Sequence, residues 1–137
     1  MLERLRDLVR QAPDFASALE AVAANTVFTT HTAVPAGHDY FSDEMMFRYF
    51  EEFRRDLGIT HEEFMALGRV SGSHDFNMTA LAIHGSRSHN GVSKIHGNVS
   101  ARICRDFWPQ IEPEENPKPY ITHGVHVQTC MAQEWGE

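Results

Sequence analysis

The chain has 137 residues, 42% hydrophobic and 23% charged, with a formal net charge of −7. That composition fits one folded domain with a modest core and stands well away from disorder. With 12 basic against 19 acidic residues, no positive surplus exists to displace counterions from a phosphate backbone, which excludes a general nucleic-acid binder.

No apolar run approaches the roughly 18 residues of a membrane helix, so no membrane partner is expected. The opening MLERLRDLVRQAPDF is charged and amphipathic, unlike a signal peptide. Cys104 and Cys130 have no local pairing motif, which points to a reduced, cytoplasmic setting.

In chain order, Leu2, Leu5 and Val9 share one face of a first helix over 2–11. Asp14 is placed to cap a second, whose inner face carries Phe15, Ala18, Leu19 and Val22 to about Ala24. The β-branched and aromatic run from Val27 to Thr30 predicts a short strand, the αβ half of a parallel unit. A loop with Pro35 and Gly37 follows over 33–41. Ser42 caps a third helix, with Met46, Tyr49, Phe50, Phe53 and Leu57 facing inward and Gly58 as its stop. Thr60 and Glu63 form a capping box for a short helix to about Leu67.

Residues 68–76 are turn material, and a helix over 77–84 points Met78, Leu81 and Ala82 inward. The segment 85–92 reads as a very short strand or an extended crossing, with Asn90-Gly91 favoured as a tight turn. Ser93 caps a last long helix carrying Ile95, Val99 and Ile103 on its inner face, ending near Phe107. Residues 109–119, with four prolines and three Glu, form an exposed connector, and 120–125 a final strand. The total is about six helices against two or three very short strands, an α/β pattern with edges that call for neighbours.

Polar residues meet backbone turns at three places. Thr29-Thr30-His31-Thr32 ends the first strand, where open α/β sheets bind ligands. His31 is either a structural His bonded to backbone or a donor to a ligand hydroxyl, and pattern alone favours the first. The same choice stands for His123 and Gly124 in Tyr120-Ile121-Thr122-His123-Gly124. Ser88 to Ser93 runs into a helix start, but its Gly spacing is neither a dinucleotide fingerprint nor a P-loop. Nine His invite a metal, yet the pairs His31/His38, His84/His89 and His123/His126 lack zinc-ligand spacing, so no metal is expected. No complete catalytic set of acid, base or nucleophile can be assembled either.

Taken together, VFTTHTAVPAGHD, LGRV, FNMTALAI, SRSHNGVSKIHGNVS, FWP and THGVH resemble the α-glucan phosphorylases (glycogen, starch and maltodextrin phosphorylase), above all their short bacterial form. The likeness runs from about Phe15 to Cys130. It implies a partial Rossmann-like fold, part of a GT-B N-terminal domain, with 1–137 matching that domain's C-terminal half. It also implies the family's reaction, transfer of a glucosyl unit from an α-1,4-glucan or maltodextrin to phosphate, giving glucose 1-phosphate. Pyridoxal phosphate belongs to a second domain that this chain does not include, so no cofactor is expected here.

Carried over position by position, the resemblance gives His31 a bond to a hydroxyl of the glucosyl unit, with Thr32 beside it. His123 stands where the family has Asn, another sugar contact, and Gly124 follows it. Asn90, Gly91, His96 and Gly97 match a scaffold motif. Cys130 replaces a usual Trp. The expectation is a fragment without activity of its own, with self-association through an exposed apolar face. A non-catalytic carbohydrate-binding or regulatory module with half a sugar site is the alternative.

Overall fold

The computed structural model describes residues 1–32, 34–103, 105, 119–124, 126 and 129. The elements are α1 (Leu2–Val9), α2 (Phe15–Ala24), β1 (Val27–Thr30), β2 (Tyr40–Phe41), α3 (Asp43–Leu57), α4 (His61–Ala66), β3 (Phe76–Asn77), α5 (Met78–His84), β4 (Ser88–Gly91) and α6 (Lys94–Ile103), with a 3-10 turn at Pro35–Gly37. Helices dominate and the longer strands pair in parallel, so the α/β expectation holds at that level.

Local signals set the helix starts. Asp14 accepts from the Ser17 N–H at 2.7 Å, Ser42 from Met45 N–H at 3.3 Å, and Thr60 and Glu63 close their capping box. Each bond satisfies a backbone donor that the first helical turn leaves without a partner. Asn77 does the same for α5, accepting from the Thr79 and Ala80 amides at 2.7 and 3.2 Å while itself buried.

The apolar faces of α1 to α5 pack into one cluster that includes Leu5, Val22, Met46, Leu57, Phe64 and Phe76. Phe64 stacks on Phe76 with centroids 5.6 Å apart and an interplanar angle of 19°. Both rings are fully buried, and truncating such a ring to Ala costs about 3–5 kcal/mol.

Three predicted faces are corrected. Tyr49, expected inside, is 68% exposed on α3, because only Met46 and Leu57 of that helix are fully buried. Met78 is 39% exposed and Ala82 half-buried, while Thr79, Ala80, Leu81 and Ile83 form the covered side of α5. Ile95 is 79% exposed, and α6 instead buries His96, Gly97, Ser100 and Ala101. Small side chains let that helix lie close to the strand beneath it, which the spacing of large apolar residues could not reveal.

Two short sheets form. β1 and β4 are parallel, in the register Val27↔Ser88, Phe28↔His89, Thr29↔Asn90 and Thr30↔Gly91. Asn90-Gly91 is therefore strand and not a turn. The Asn90 side chain takes a hydrogen bond from the Thr29 hydroxyl at 3.0 Å, across the ladder. β2 and β3 pair antiparallel, Tyr40 with Asn77 and Phe41 with Phe76, a ladder unforeseen inside what read as loop and turn.

Beyond β4, Tyr120 bridges to Gly91 in parallel. The Gly91 N–H donates to the Pro119 carbonyl at 3.0 Å, the Ile121 N–H to Gly91 at 2.9 Å and the His123 N–H to Val92 at 3.1 Å. The predicted last strand is thus corrected to a single bridge at Tyr120, with 121–124 extended beside β4 but not forming a strand, and its Val125 lies outside the described residues. So do the connector up to Lys118, Cys104, Phe107 and Cys130.

Candidate functional site at the C-terminal end of the parallel strands

The parallel ladder has a direct consequence for polar residues. β1, β4 and the segment from Tyr120 run the same way, with β4 in the middle. Each of the outer two therefore discharges its next residues at the same end. That end carries His31-Thr32 on one side and His123-Gly124 on the other.

The two imidazoles meet there. His31 Nε2 lies 3.2 Å from His123 Nε2, across 92 residues of sequence, and both side chains are exposed. The ring centroids are 4.5 Å apart and the planes tilted by 57°. As a hydrogen bond between neutral rings, the contact requires opposite tautomers, one Nε2 carrying the proton and the other its lone pair. Gly124 is exposed, and a Cβ added to it would meet no described atom within 4 Å. His126 points elsewhere, its Nδ1 hydrogen-bonded with the Thr129 hydroxyl at 2.7 Å.

Beneath this pair, His96 ties the mouth together. It is buried, and its Nδ1 accepts from the Val92 N–H at 3.2 Å. An accepting Nδ1 leaves the proton on Nε2, which donates to the Thr32 carbonyl at 2.8 Å. Ser93 caps the turn by accepting the His96 N–H at 3.1 Å. Val92 in turn accepts from His123. One ring therefore links the loop bearing His31 to the residue that holds His123.

Gly91 makes that arrangement possible. A Cβ there would fall 2.9 Å from the Gly97 nitrogen and 2.9 Å from His96 Nδ1. Those separations lie below ordinary contact, and the obstacle at Gly97 is backbone that cannot turn aside. Asn90, Gly91, His96 and Gly97 thus sit in one packed unit under the mouth.

Beside His31 opens a cleft of ≈ 300 Å³, between the end of β1, the Pro35–Gly37 turn and the start of α5. Thr30, His31, Thr32, His38, Asp39 and Thr79 are among its walls. His38 Nδ1 is hydrogen-bonded with the Thr79 hydroxyl. Gly37 lies so close to Thr32 that an added Cβ would meet its methyl at 2.4 Å. His38, Asp39 and Thr79 escaped sequence reasoning as site residues. Thr79 stands 41 residues from His38 in the chain, and no local pattern marks either one. Among the described residues, no group of three or more His, Cys, Asp and Glu is placed to hold a metal ion.

The chain thus carries a polar mouth at the end of a parallel sheet, the usual place for a ligand in an α/β protein. No protein-family model matches it. Curated relatives do. Glycogen phosphorylase of Mycobacterium tuberculosis (strain CDC 1551 / Oshkosh) is 40% identical over 141 residues, spanning 98% of this chain and 16% of that protein. Maltodextrin phosphorylase of Thermococcus litoralis is 37% identical over 132 residues, spanning 96% of this chain and 15% of its own. Glycogen phosphorylase of Aquifex aeolicus is 28% identical over 135 residues, 97% of this chain and 19% of its own. This chain is a homologue of one segment of the glycogen and maltodextrin phosphorylases. It spans less than a fifth of the length of these relatives.

Proposed function

We propose that this chain is a piece of an α-1,4-glucan phosphorylase, covering the C-terminal half of a Rossmann-like GT-B N-terminal domain and carrying one edge of its glucosyl site. The observation that carries this reading is the joint delivery of His31 and His123 to one end of the parallel strands, their Nε2 atoms 3.2 Å apart, in a segment homologous to phosphorylases. In the parent reaction a glucosyl unit passes from an α-1,4-glucan or maltodextrin to phosphate. Here His31 offers Nε2 to a sugar hydroxyl, and the Thr32 backbone is held in place for it by His96.

His123 changes what that edge can do. Its Nε2 already engages His31, so a hydroxyl entering between the rings must replace their mutual bond by one bond to each. The Asn that the resemblance places at this position is shorter and has two donors and an acceptor, which leaves His31 open. The sugar edge of this chain is therefore weakened and not abolished.

By the resemblance, the groups that stabilise charge on the phosphate belong to the second domain. Glucosyl transfer to phosphate needs groups preorganised around the phosphate as well as a hold on the sugar. Pyridoxal phosphate has no fitting seat among the described residues. Lys94, the one lysine described, is exposed on the first turn of α6, where no enclosed surroundings could hold a Schiff-base cofactor. The chain by itself is thus expected to be inactive. Incubation of the purified chain with maltodextrin, phosphate and pyridoxal phosphate tests this, and the expected yield is no glucose 1-phosphate above a blank. Sustained turnover would overturn the proposal. A calorimetric titration with maltoheptaose, run on the same chain and on His31→Ala, separates a silent fragment from a retained carbohydrate-binding module. Saturable binding lost in the variant would favour the module.

A further inference from the structure

We infer that His31 and His123 together form a chelating site for a borderline divalent cation, Zn²⁺, Cu²⁺ or Ni²⁺. Sequence spacing gave no ground to expect a metal, because the two residues are 92 positions apart and only the parallel ladder brings them together. Imidazole nitrogen is the donor these ions prefer. The separation of 3.2 Å suits chelation: an ion held at about 2.0–2.1 Å from each nitrogen would see the pair at an angle of about 100°, close to tetrahedral. The centroids, at 4.5 Å with a 57° tilt, stand nearer than two head-on rings would bring them. The two Nε2 atoms lie nearer to each other than the centroids do, so each ring turns that nitrogen into the gap between them.

Both residues are exposed, so water can fill the remaining positions of the ion. Two protein donors fall short of the four of a structural zinc site and the three of a catalytic one. This is accordingly an open, exchangeable site and not a centre that organises the fold. The backbone beneath is preset, with His123 N–H bonded to Val92 and the Thr32 carbonyl bonded to His96. Little main-chain ordering is therefore needed when an ion enters, which favours binding over that by isolated surface His. An ion there occupies the same two nitrogens that face a sugar, so cation and sugar would exclude one another. The cation site itself does not depend on the glucan reading.

The test uses the whole chain, stripped with a chelator and titrated calorimetrically with Zn²⁺ alone, followed by electron paramagnetic resonance with Cu²⁺. One equivalent should bind, with nitrogen couplings from two imidazoles. His123→Asn and His31→Asn should each weaken that equivalent on the order of tenfold or more and remove one nitrogen coupling. Circular dichroism verifies that both variants keep the fold, as their exposure leads one to expect. Equal affinity in the wild type and both variants would assign the metal to other His and overturn the inference. Failure of the wild type to bind an equivalent would reduce the contact to an imidazole hydrogen bond and overturn it as well. Maltoheptaose binding measured without metal tests the glucan reading separately.

Discussion

At the residue scale, the most informative side chain is His96, whose two nitrogens are both committed to backbone groups. Removing the ring leaves the Val92 N–H and the Thr32 carbonyl without it. A buried group so abandoned costs roughly 1–3 kcal/mol. His96→Leu should lower the urea midpoint accordingly, and an unchanged midpoint would mean that water substitutes for the imidazole. Gly91→Ala should be destabilising by about 1–3 kcal/mol, since its Cβ would meet Gly97 backbone at 2.9 Å. The same logic applied to function concerns His123. Installing His at the matched Asn of a full-length relative should reduce maltodextrin phosphorolysis by a factor of about 5–150, the equivalent of one unpaired buried donor or acceptor. Unchanged kinetics there would remove the argument that this sugar edge is weakened.

Helix starts govern the element scale. Asn77 is buried with its side-chain oxygen taking two amides of α5. Asn77→Ala should cost about 1–2 kcal/mol and loosen the wall of the cleft that Thr79 provides, readable as faster amide exchange over 78–84. Asp14 and Glu63 give an acid dependence. The Ser17 amide beside Asp14, and the Thr60 amide beside Glu63, hold these carboxyls below their ordinary values of 3.8 and 4.5. Both therefore bind protons more weakly folded than unfolded. Their contribution is complete above those ordinary values and is lost as pH falls through the lower folded ones. Thermal melting between about pH 6 and pH 3 should decline less steeply in an Asp14→Ala, Glu63→Ala double variant than in the wild type. Parallel slopes would show that other carboxylates control acid unfolding.

On the scale of the whole molecule, the fold is short of cover. A groove of ≈ 240 Å³ is lined entirely by apolar side chains, Leu2, Phe41, Met45, Met46, Tyr49, Phe50, Phe76 and Met78. Phe47 is also half exposed on α3, at 49%. An apolar surface of this kind marks an interaction site or an aggregation liability. Self-association that rises with concentration is the expected result, measured by size-exclusion with light scattering. A clean monomer at every concentration, unfolding cooperatively, would show that the exposed face is tolerated in water.

The sequence by itself determined where three helices start and one stops, because capping is a contract between residues three or four apart. Asp14, Ser42, Thr60 and Gly58 stand where local chemistry puts them. The run Val27–Thr30 is likewise a strand on composition alone. Only the tertiary structure decided which faces those helices bury, since Tyr49 and Ile95 have the right spacing and yet stand 68% and 79% exposed. It alone made Asn90-Gly91 a strand, through pairing with Thr29 and Thr30 from 61 residues away. The meeting of His31 with His123 is the furthest case. Neither segment contains a sign of the other, because parallel pairing joins strands by a register that no local spacing encodes, and the chemistry of that mouth exists only once β4 lies between them.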